Sequence, residues 1–313
     1  MKNKRILITG AAGYLGSMLA TRLVSMNYKV TAVDILKYDK NSLSHLFNKK
    51  NFKFLNEDIR KIECVKKIVK NQNIIFPLAA LVGAPLCEKF KKNAIDTNLN
   101  SIKLLIKNLS PRQKLIYPTS NSGYGVGEKG KYCDENSPLN PISLYGNTKA
   151  EAEKIVLQFK NSVCFRLATV FGYSYRMRTD LLVNNFVERA IKKKKLNLFE
   201  PHFRRNYIHI NDVVSAFIFA INNFDRLKGE TYNIGLSNAN LTKFALAKKI
   251  KKKIKDLKIT IIKNKFDPDK RDYYVSNKKI EKAGFKPEVS IEEGIDELTQ
   301  LFTYTDIKFK NNY

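Results

Sequence analysis

A chain of 313 residues with 43% hydrophobic residues is long enough to bury a core, which excludes disorder as the default state. No run approaches the roughly 20 apolar residues that span a bilayer, and no signal-peptide pattern precedes the first strand-like segment, so we expect a cytoplasmic protein without membrane contact. The net charge of +28 raises the question of nucleic-acid binding, but the lysine runs at 192–195 and 248–255 are typical of solvated helix faces. We therefore expect no nucleic-acid partner.

Short β-rich runs alternate with helical patterns along the first part of the chain. Strands are predicted at "RILITG", "KVTAVD", "FKFLNED", "NIIFPLAA", "KLIYPTS" and "VCFRLATVFG", and helices at 14–26, 60–70, 88–109 and 143–160. This alternation is typical of βαβ units. It predicts an α/β fold with a Rossmann-type, doubly wound parallel sheet.

After Gly172 the alternation loosens into a helix at 178–195 followed by shorter strands and loops. A strand-then-helix pattern returns at 206–223, in "NYIHINDVVSAFIFAINN". We therefore predict a sheet domain made of residues 1–172 plus about 206–228. The remaining segments, about 173–205 and 229–313, are predicted to form a smaller C-terminal substrate-binding lobe.

The first predicted strand runs into the glycine-rich turn "GAAGYLG". Glycines at such a turn let backbone N–H groups and a helix N-terminus approach a pyrophosphate. Asp34 ends the next strand about 20 residues later, where a carboxylate would accept the adenosine ribose hydroxyls and repel a 2′-phosphate. The pattern predicts NAD rather than NADP, bound through Gly10, Gly13, Tyr14, Leu15, Gly16 and Asp34.

The next two strands also end in candidate cofactor contacts. Ligands of open α/β sheets bind at the carboxyl edge, where these strand ends lie together. The cofactor site is therefore extended to Asp58, Ile59, Leu78, Ala79 and Ala80.

Tyr145 and Lys149 lie four residues apart at the start of a predicted helix, so their side chains share one face. A phenol with a pKa of about 10 is a poor base near neutrality. An adjacent ammonium and a nicotinamide cation would lower that pKa. Tyr145 could then take a proton from a sugar hydroxyl while the carbon gives hydride to NAD, with Lys149 holding the nicotinamide ribose.

These motifs occur in order with "DTNLNSIKLL", "TSNSGYG", "RNYIHINDV" and "DKRDYYVSNKKIEKAGFKPEVSIEEGI". Together they resemble the extended short-chain dehydrogenase/reductases of the nucleotide-sugar epimerase and dehydratase group, over essentially the whole chain. The resemblance implies an NAD-dependent enzyme acting on a nucleoside-diphosphate sugar. It also implies a homodimer formed through a four-helix bundle, with 88–109 and 143–160 as the candidate helices.

The resemblance assigns roles to individual residues. It makes Ser120 the catalytic hydroxyl, Tyr145 the base and Lys149 the ribose-binding lysine. Asn98 is assigned to the cofactor site, and Arg205 and Arg271 to the substrate diphosphate. Asn184 is a further diphosphate contact, with Asn185 left open. Pro77 replaces the polar residue of the commoner "IHLAA", with no consequence that we can derive.

The 4,6-dehydratases of this group carry an Asp-Glu pair directly after the catalytic hydroxyl, where this chain has Asn121 and Ser122. An amide does not ionise and a hydroxyl is too weak an acid or base, so dehydration is disfavoured. The prediction is NAD-dependent oxidation of a sugar hydroxyl, usually at C4, by an epimerase or a net dehydrogenase supplying capsule, lipopolysaccharide or glycan precursors. A 4,6-dehydratase or C3/C5 epimerase stays an alternative, as does an NAD-binding sensor or RNA-associated protein without turnover.

The four cysteines, Cys64, Cys87, Cys133 and Cys164, are scattered and lack metal-ligand spacing against the three histidines. We expect reduced thiols and no metal site. Cys133 follows the catalytic strand and could act as an acid in a C3/C5 epimerase, although a loop thiol is the preferred interpretation.

Overall fold

The computed structural model describes residues 4–128, 130–263, 271–305 and 311–312. Its strands are β1 (Arg5–Thr9), β2 (Lys29–Asp34), β3 (Phe52–Asn56), β4 (Ile74–Pro77), β5 (Lys114–Ser120), β6 (Tyr132–Cys133), β7 (Ser162–Leu167), β8 (Thr169–Phe171), β9 (Lys195–Leu198), β10 (Arg204–His209), β11 (Thr231–Ile234), β12 (Asn240–Thr242), β13 (Lys258–Ile261) and β14 (Tyr274–Val275).

The helices are α1 (Tyr14–Ser25), α2 (Ile62–Ile68), α3 (Ala84–Lys89), α4 (Lys91–Ile95), α5 (Ser101–Lys107), α6 (Leu144–Leu157), α7 (Leu182–Lys193), α8 (Ile210–Asn222), α9 (Phe224–Leu227), α10 (Lys243–Lys253), α11 (Lys278–Lys282) and α12 (Ile291–Tyr304). A π-helical segment, Asp96–Asn100, joins α4 to α5, and 3₁₀ turns lie at Ser44–Leu46 and Asn121–Tyr124. Among the described helices none is both long and apolar enough to cross a membrane.

The main sheet has seven parallel strands in the order β11-β7-β5-β4-β1-β2-β3. Helices cover both faces, as the apolar strands require. Ile6 and Ile8 of β1 pack with α1 and α8 on one face, and Leu7 packs with α2, α5 and α6 on the other. The predicted Rossmann-type fold is confirmed.

The predicted strand "VCFRLATVFG" is two strands. β7 ends at Leu167 and pairs with β5 and β11, whereas β8 begins at Thr169 and pairs with β10 in a separate three-stranded sheet. Because both strands are apolar, the sequence shows no break between them. They differ only in the strands with which they pair. The chain therefore leaves the main sheet at Ala168, directly beside the site.

The predicted domain boundary at about residue 228 falls one strand early. β11 lies beyond it, yet pairs in parallel with the outer edge of β7 and is buried along its length. A separate core contains side chains of α7, α10 and α12, including Val183, Leu246 and Leu298. A substrate lobe built around this second core is therefore proposed to resume after β11.

Candidate active site

The glycine turn between β1 and α1 is built for close backbone approach. Gly10 has φ +67°, and a Cβ on it would lie 2.6 Å from backbone atoms of Ala79. A Cβ on Gly16 would collide with the carbonyl oxygen of Gly10. The turn therefore leaves the first N–H groups of α1 facing an open cleft, which fits the pyrophosphate of a dinucleotide.

Asp34, at the end of β2, lies beside this turn. Its carboxylate accepts hydrogen bonds from the N–H groups of Ala12 at 3.0 Å and Leu36 at 2.9 Å. Burial raises the pKa of Asp34, and these backbone bonds oppose that effect. Asp58 is held by Arg60, whose side-chain bonds lower the pKa of the Asp58 carboxyl. Two carboxylates thus border the end of the cleft where the sequence predicts the adenosine ribose.

A single cavity of about 650 Å³ runs from this end across the carboxyl edge of the sheet. It brings together most of the residues predicted from the sequence. Those that line it are Gly10, Gly13, Tyr14, Leu15, Gly16, Asp34, Asp58, Ile59, Leu78, Ala79, Ala80, Ser120, Ser122, Tyr145, Lys149, Arg205 and Arg271.

Asn98 lies behind the cavity wall. It sits in the π-helical segment, where its Oδ1 accepts the Leu81 N–H at 2.8 Å and its Nδ2 donates to the Leu81 carbonyl at 2.9 Å. Both ends of the amide hold the segment after β4, and Asn98 is not among the residues that line the cavity, so its direct contact with the cofactor stays a prediction.

Asn184 is also turned away from the cavity. Its Oδ1 accepts the Gly172 N–H at 3.0 Å, and its Nδ2 donates to the Arg178 carbonyl at 2.9 Å. Asn185 donates to the Thr179 carbonyl. Both amides hold the chain after β8, so the structure does not support the predicted diphosphate contact of Asn184. Asn121 is 1% exposed, and its amide atoms have no hydrogen-bond partner among the described residues.

The catalytic candidates meet where α6 begins. Ser143 caps this helix by accepting the Gly146 N–H, which fixes the face carrying Tyr145 and Lys149. Burial raises the pKa of Tyr145, while the charge of Arg271 and a hydrogen bond with Ser120 act to lower it. This rise is opposite to the expected direction. The expected fall in the pKa of Tyr145 depended in part on the positive charge of the nicotinamide, which belongs to the cofactor and not to the protein.

Lys149 is 5% exposed and donates from Nζ to the Tyr117 hydroxyl at 2.7 Å. Burial lowers the pKa of Lys149 to about 7. Tyr117 lies in β5 and was missed in the sequence. Strand alternation could have found it, because Tyr117 and Thr119 point to the same face, toward α6.

The Ser120 and Ser122 hydroxyls lie side by side, next to Arg271. Their Oγ atoms are 2.8 Å apart, and Arg271 donates from Nη1 to Ser122 Oγ. Arg205 donates to the backbone carbonyl of Arg271. Five further cations line the cavity and were not predicted: Lys37, Arg60, Arg176, Arg178 and Lys243. Their positions in loops and at a helix start carry no local signal for cavity contact.

Comparisons with known proteins agree with this geometry. Residues 6–235 match the sequence profile of the NAD dependent epimerase/dehydratase family. Human dTDP-D-glucose 4,6-dehydratase is 26% identical over 98% of this chain and 92% of its own. An uncharacterized UDP-glucose epimerase of Bacillus subtilis is 29% identical over 74% of this chain and 76% of its own. The crystal structure of UDP-glucose 4-epimerase from Thermotoga maritima superposes with a TM-score of 0.84 at 25% identity, covering 96% of this chain and 98% of that one.

Proposed function

Since the chain belongs to the NAD-dependent epimerase/dehydratase family and is an enzyme with NAD as its cofactor, we propose that it oxidises the C4 hydroxyl of a nucleoside-diphosphate hexose or heptose. The product is a C4 epimer or a released 4-ketone. The observation that carries this proposal is the position of Ser120 beside Tyr145. Ser120 is followed in the chain by the amide of Asn121 and the hydroxyl of Ser122 instead of two carboxylates.

In this proposal Tyr145 removes the proton of the C4 hydroxyl. Ser120, which shares a hydrogen bond with Tyr145, holds the same sugar oxygen. Lys149 binds the nicotinamide ribose and adds positive charge near the phenol when protonated. When bound, NAD accepts the hydride from C4. An epimerase returns that hydride to the opposite face of the sugar.

Dehydration needs further groups: a base that removes the C5 proton and an acid that protonates the departing C6 hydroxyl. Asn121 cannot ionise, and Ser122 is hydrogen-bonded to both Ser120 and Arg271. The human relative is called a 4,6-dehydratase, but this part of the chain favours a reaction that stops at oxidation or continues to epimerisation.

We assign the substrate diphosphate to Arg205 and Arg271. Both line the cavity, and guanidinium groups suit bidentate binding of phosphate oxygens. Arg271 also reaches Ser122, so the same side chain connects the diphosphate region with the catalytic serines.

The test is incubation of the purified protein with a panel of nucleoside-diphosphate sugars in D₂O, with NMR of the products and absorbance of the cofactor. An inverted C4 centre without deuterium identifies an epimerase. A 4-ketone formed with reduced cofactor, or turnover only with an added oxidant, identifies a dehydrogenase. Deuterium at C5 with loss of the C6 hydroxyl would overturn the argument from Asn121 and Ser122.

Tyr145→Phe separates the chemistry from the binding. It should lower kcat by at least a hundredfold while leaving NAD bound, because only the phenolic proton acceptor is removed. Tyr304→Phe is the matched control, since Tyr304 is 83% exposed and its ring lies on α12. Near-normal turnover of Tyr145→Phe would remove Tyr145 from its assigned role.

The proposal includes a cytoplasmic homodimer that supplies capsule, lipopolysaccharide or other glycan precursors. Apolar side chains on and beside the candidate dimer helices support the dimer, since Phe90, Ile95 and Ile142 are 38%, 37% and 50% exposed. Sedimentation of Ile95→Glu beside the wild-type protein tests it. A monomeric wild-type protein at micromolar concentration would contradict it.

A further inference from the structure

The segment of residues 172–181, which we call the strap, leaves β8 and crosses the first turn of α1. Tyr14 donates from its hydroxyl to the Gly172 carbonyl at 2.7 Å, and Ser174 Oγ donates to the Tyr14 carbonyl at 2.8 Å. Ser174 Oγ also lies 3.1 Å from Ser17 Oγ. The strap is therefore anchored to the helix whose N-terminus faces the cofactor cleft.

Other elements fix the far half of the strap. Asn184 and Asn185 of α7 donate to the carbonyls of Arg178 and Thr179. Near the C-terminus, Asn311 accepts the Thr179 N–H at 2.9 Å. With anchors on α1, α7 and the C-terminal residues, the backbone of the strap is held in place on both sides of Arg176.

Arg176 is one of four strap residues that line the cavity, with Arg178, Asp180 and Leu181. It is 1% exposed yet lines the cavity, and its guanidinium lies 5.0 Å from the centre of the Tyr38 ring. Its Nη2 donates to Asn312 Oδ1 at 2.8 Å and its Nη1 to the Met177 carbonyl at 3.3 Å.

Every one of these Arg176 partners is neutral. Arg178, two residues later, instead pairs with Asp180 through two side-chain hydrogen bonds. Arg176 forms no ion pair with a carboxylate among the described residues. The carboxylates of Asp180 and Asp39 act on Arg176 without contacting it, and a buried guanidinium without a direct ionic partner is costly unless an anion completes the site.

The place of Arg176 in the cleft identifies that anion. Arg176 lies close enough to Asp34 for its charge to oppose the burial that raises the pKa of that carboxyl. Asp34 in turn bonds the Ala12 N–H of the glycine turn. Arg176 is thus at the adenosine end of the cleft, where the ribose and the first phosphate of a dinucleotide meet.

We propose that Arg176, lying over the Tyr38 ring, binds the pyrophosphate of NAD from the strap side, opposite the N–H groups of the glycine turn. The pyrophosphate supplies a direct ionic partner for the guanidinium, and the strap becomes part of the cofactor site. The 2′-phosphate of NADP is the other phosphate group that could pair with this arginine. Asp34 disfavours it, because a carboxylate on the ribose side repels that group. This proposal rests on NAD as the cofactor and not on the sugar chemistry.

The test is competition of unlabelled nucleotides against a fluorescent NAD analogue for Arg176→Gln and Arg176→Lys. We expect Arg176→Gln to weaken both NAD and ADP-ribose by at least tenfold, to leave adenosine unchanged, and to flatten the salt dependence of NAD binding. Arg176→Lys should recover part of the loss, since it keeps the charge but not the planar fork.

Arg226→Gln is the matched control. Arg226 also lies over an aromatic ring, that of Phe219, and bonds the neutral Asn223 Oδ1, but it is remote from the cavity. Unchanged NAD affinity in Arg176→Gln, or equal losses for NAD and adenosine, would overturn the proposal. A loss confined to NADP would reassign the arginine to a 2′-phosphate. Thermal unfolding shows whether each variant is folded, and no sugar turnover is needed.

Discussion

Replacing Lys149 with methionine should stabilise the nucleotide-free protein and abolish hydride transfer. Lys149 is 5% exposed and its nearest polar partner is the neutral hydroxyl of Tyr117, so the charged ammonium is poorly solvated. Methionine has a similar length and buries no charge.

The magnitude follows from the pKa. A fall from 10.5 to about 7 corresponds to about 5 kcal/mol against the charged form, which is an upper limit for the gain. Loss of the bond to Tyr117 costs about 1 kcal/mol, and water in the cleft reduces the burial penalty further. We expect a net gain of about 2 kcal/mol at pH 7, or a few °C in Tm.

The pH dependence gives the sharper test. Between about pH 7 and 10.5 the unfolded chain binds a proton that folded Lys149 releases, so wild-type stability rises with pH. The advantage of Lys149→Met should therefore be largest at or below pH 7 and shrink toward pH 10. Denaturant unfolding across this range measures it, with Lys154→Met as the control because Lys154 is exposed on the same helix. A pH-independent difference, or a destabilised variant, would refute the reasoning.

Three further predictions concern the cofactor turn and the core behind the catalytic helix. Gly16→Ala should weaken NAD binding more than tenfold, because the new methyl group meets the Gly10 carbonyl and pushes α1 from the turn; a titration with unchanged affinity would contradict this. Asp34→Asn should weaken NAD binding about tenfold and reduce the preference for NAD over NADP, as measured by parallel titrations with the two cofactors. An unchanged preference would count against contact between Asp34 and the adenosine ribose. Glu153→Gln leaves the buried Arg166 without its carboxylate and should cost about 3 kcal/mol in denaturant unfolding. Adding Arg166→Met to Glu153→Gln should restore part of the lost stability, because it removes the unpaired guanidinium. A double variant that is no more stable than Glu153→Gln would show that the broken ion pair does not cause the loss.

The cofactor half of the site could be predicted because its determinants are local. A strand, glycines that exclude a Cβ, and a carboxylate at the next strand end are all readable within about 30 residues. The structure places Gly10, Gly16 and Asp34 around one cleft as that pattern requires.

The amides were harder to assign because distant partners decide their orientation. Asn98 turns toward Leu81, and Asn184 toward Gly172, through bonds that no spacing rule specifies. The division of β7 from β8 has the same origin, since β8 is separated only by its pairing with β10. Arg176 was missed because a loop arginine looks the same in sequence whether it meets solvent or a cavity.

The π-helical segment between α4 and α5 constrains which changes in length this protein can accept. A π turn holds one residue more than an α turn, so deletion of a residue within Asp96–Asn100 would yield a regular, still continuous helix. Because a π turn absorbs its extra residue locally, the flanking turns would keep their faces, and the displacement would fall on the side chains within the segment itself. The Asn98 amide would then no longer face Leu81, and the chain after β4 would lose its tether. Insertions and deletions among related sequences should therefore avoid this helix even where its amino acids vary.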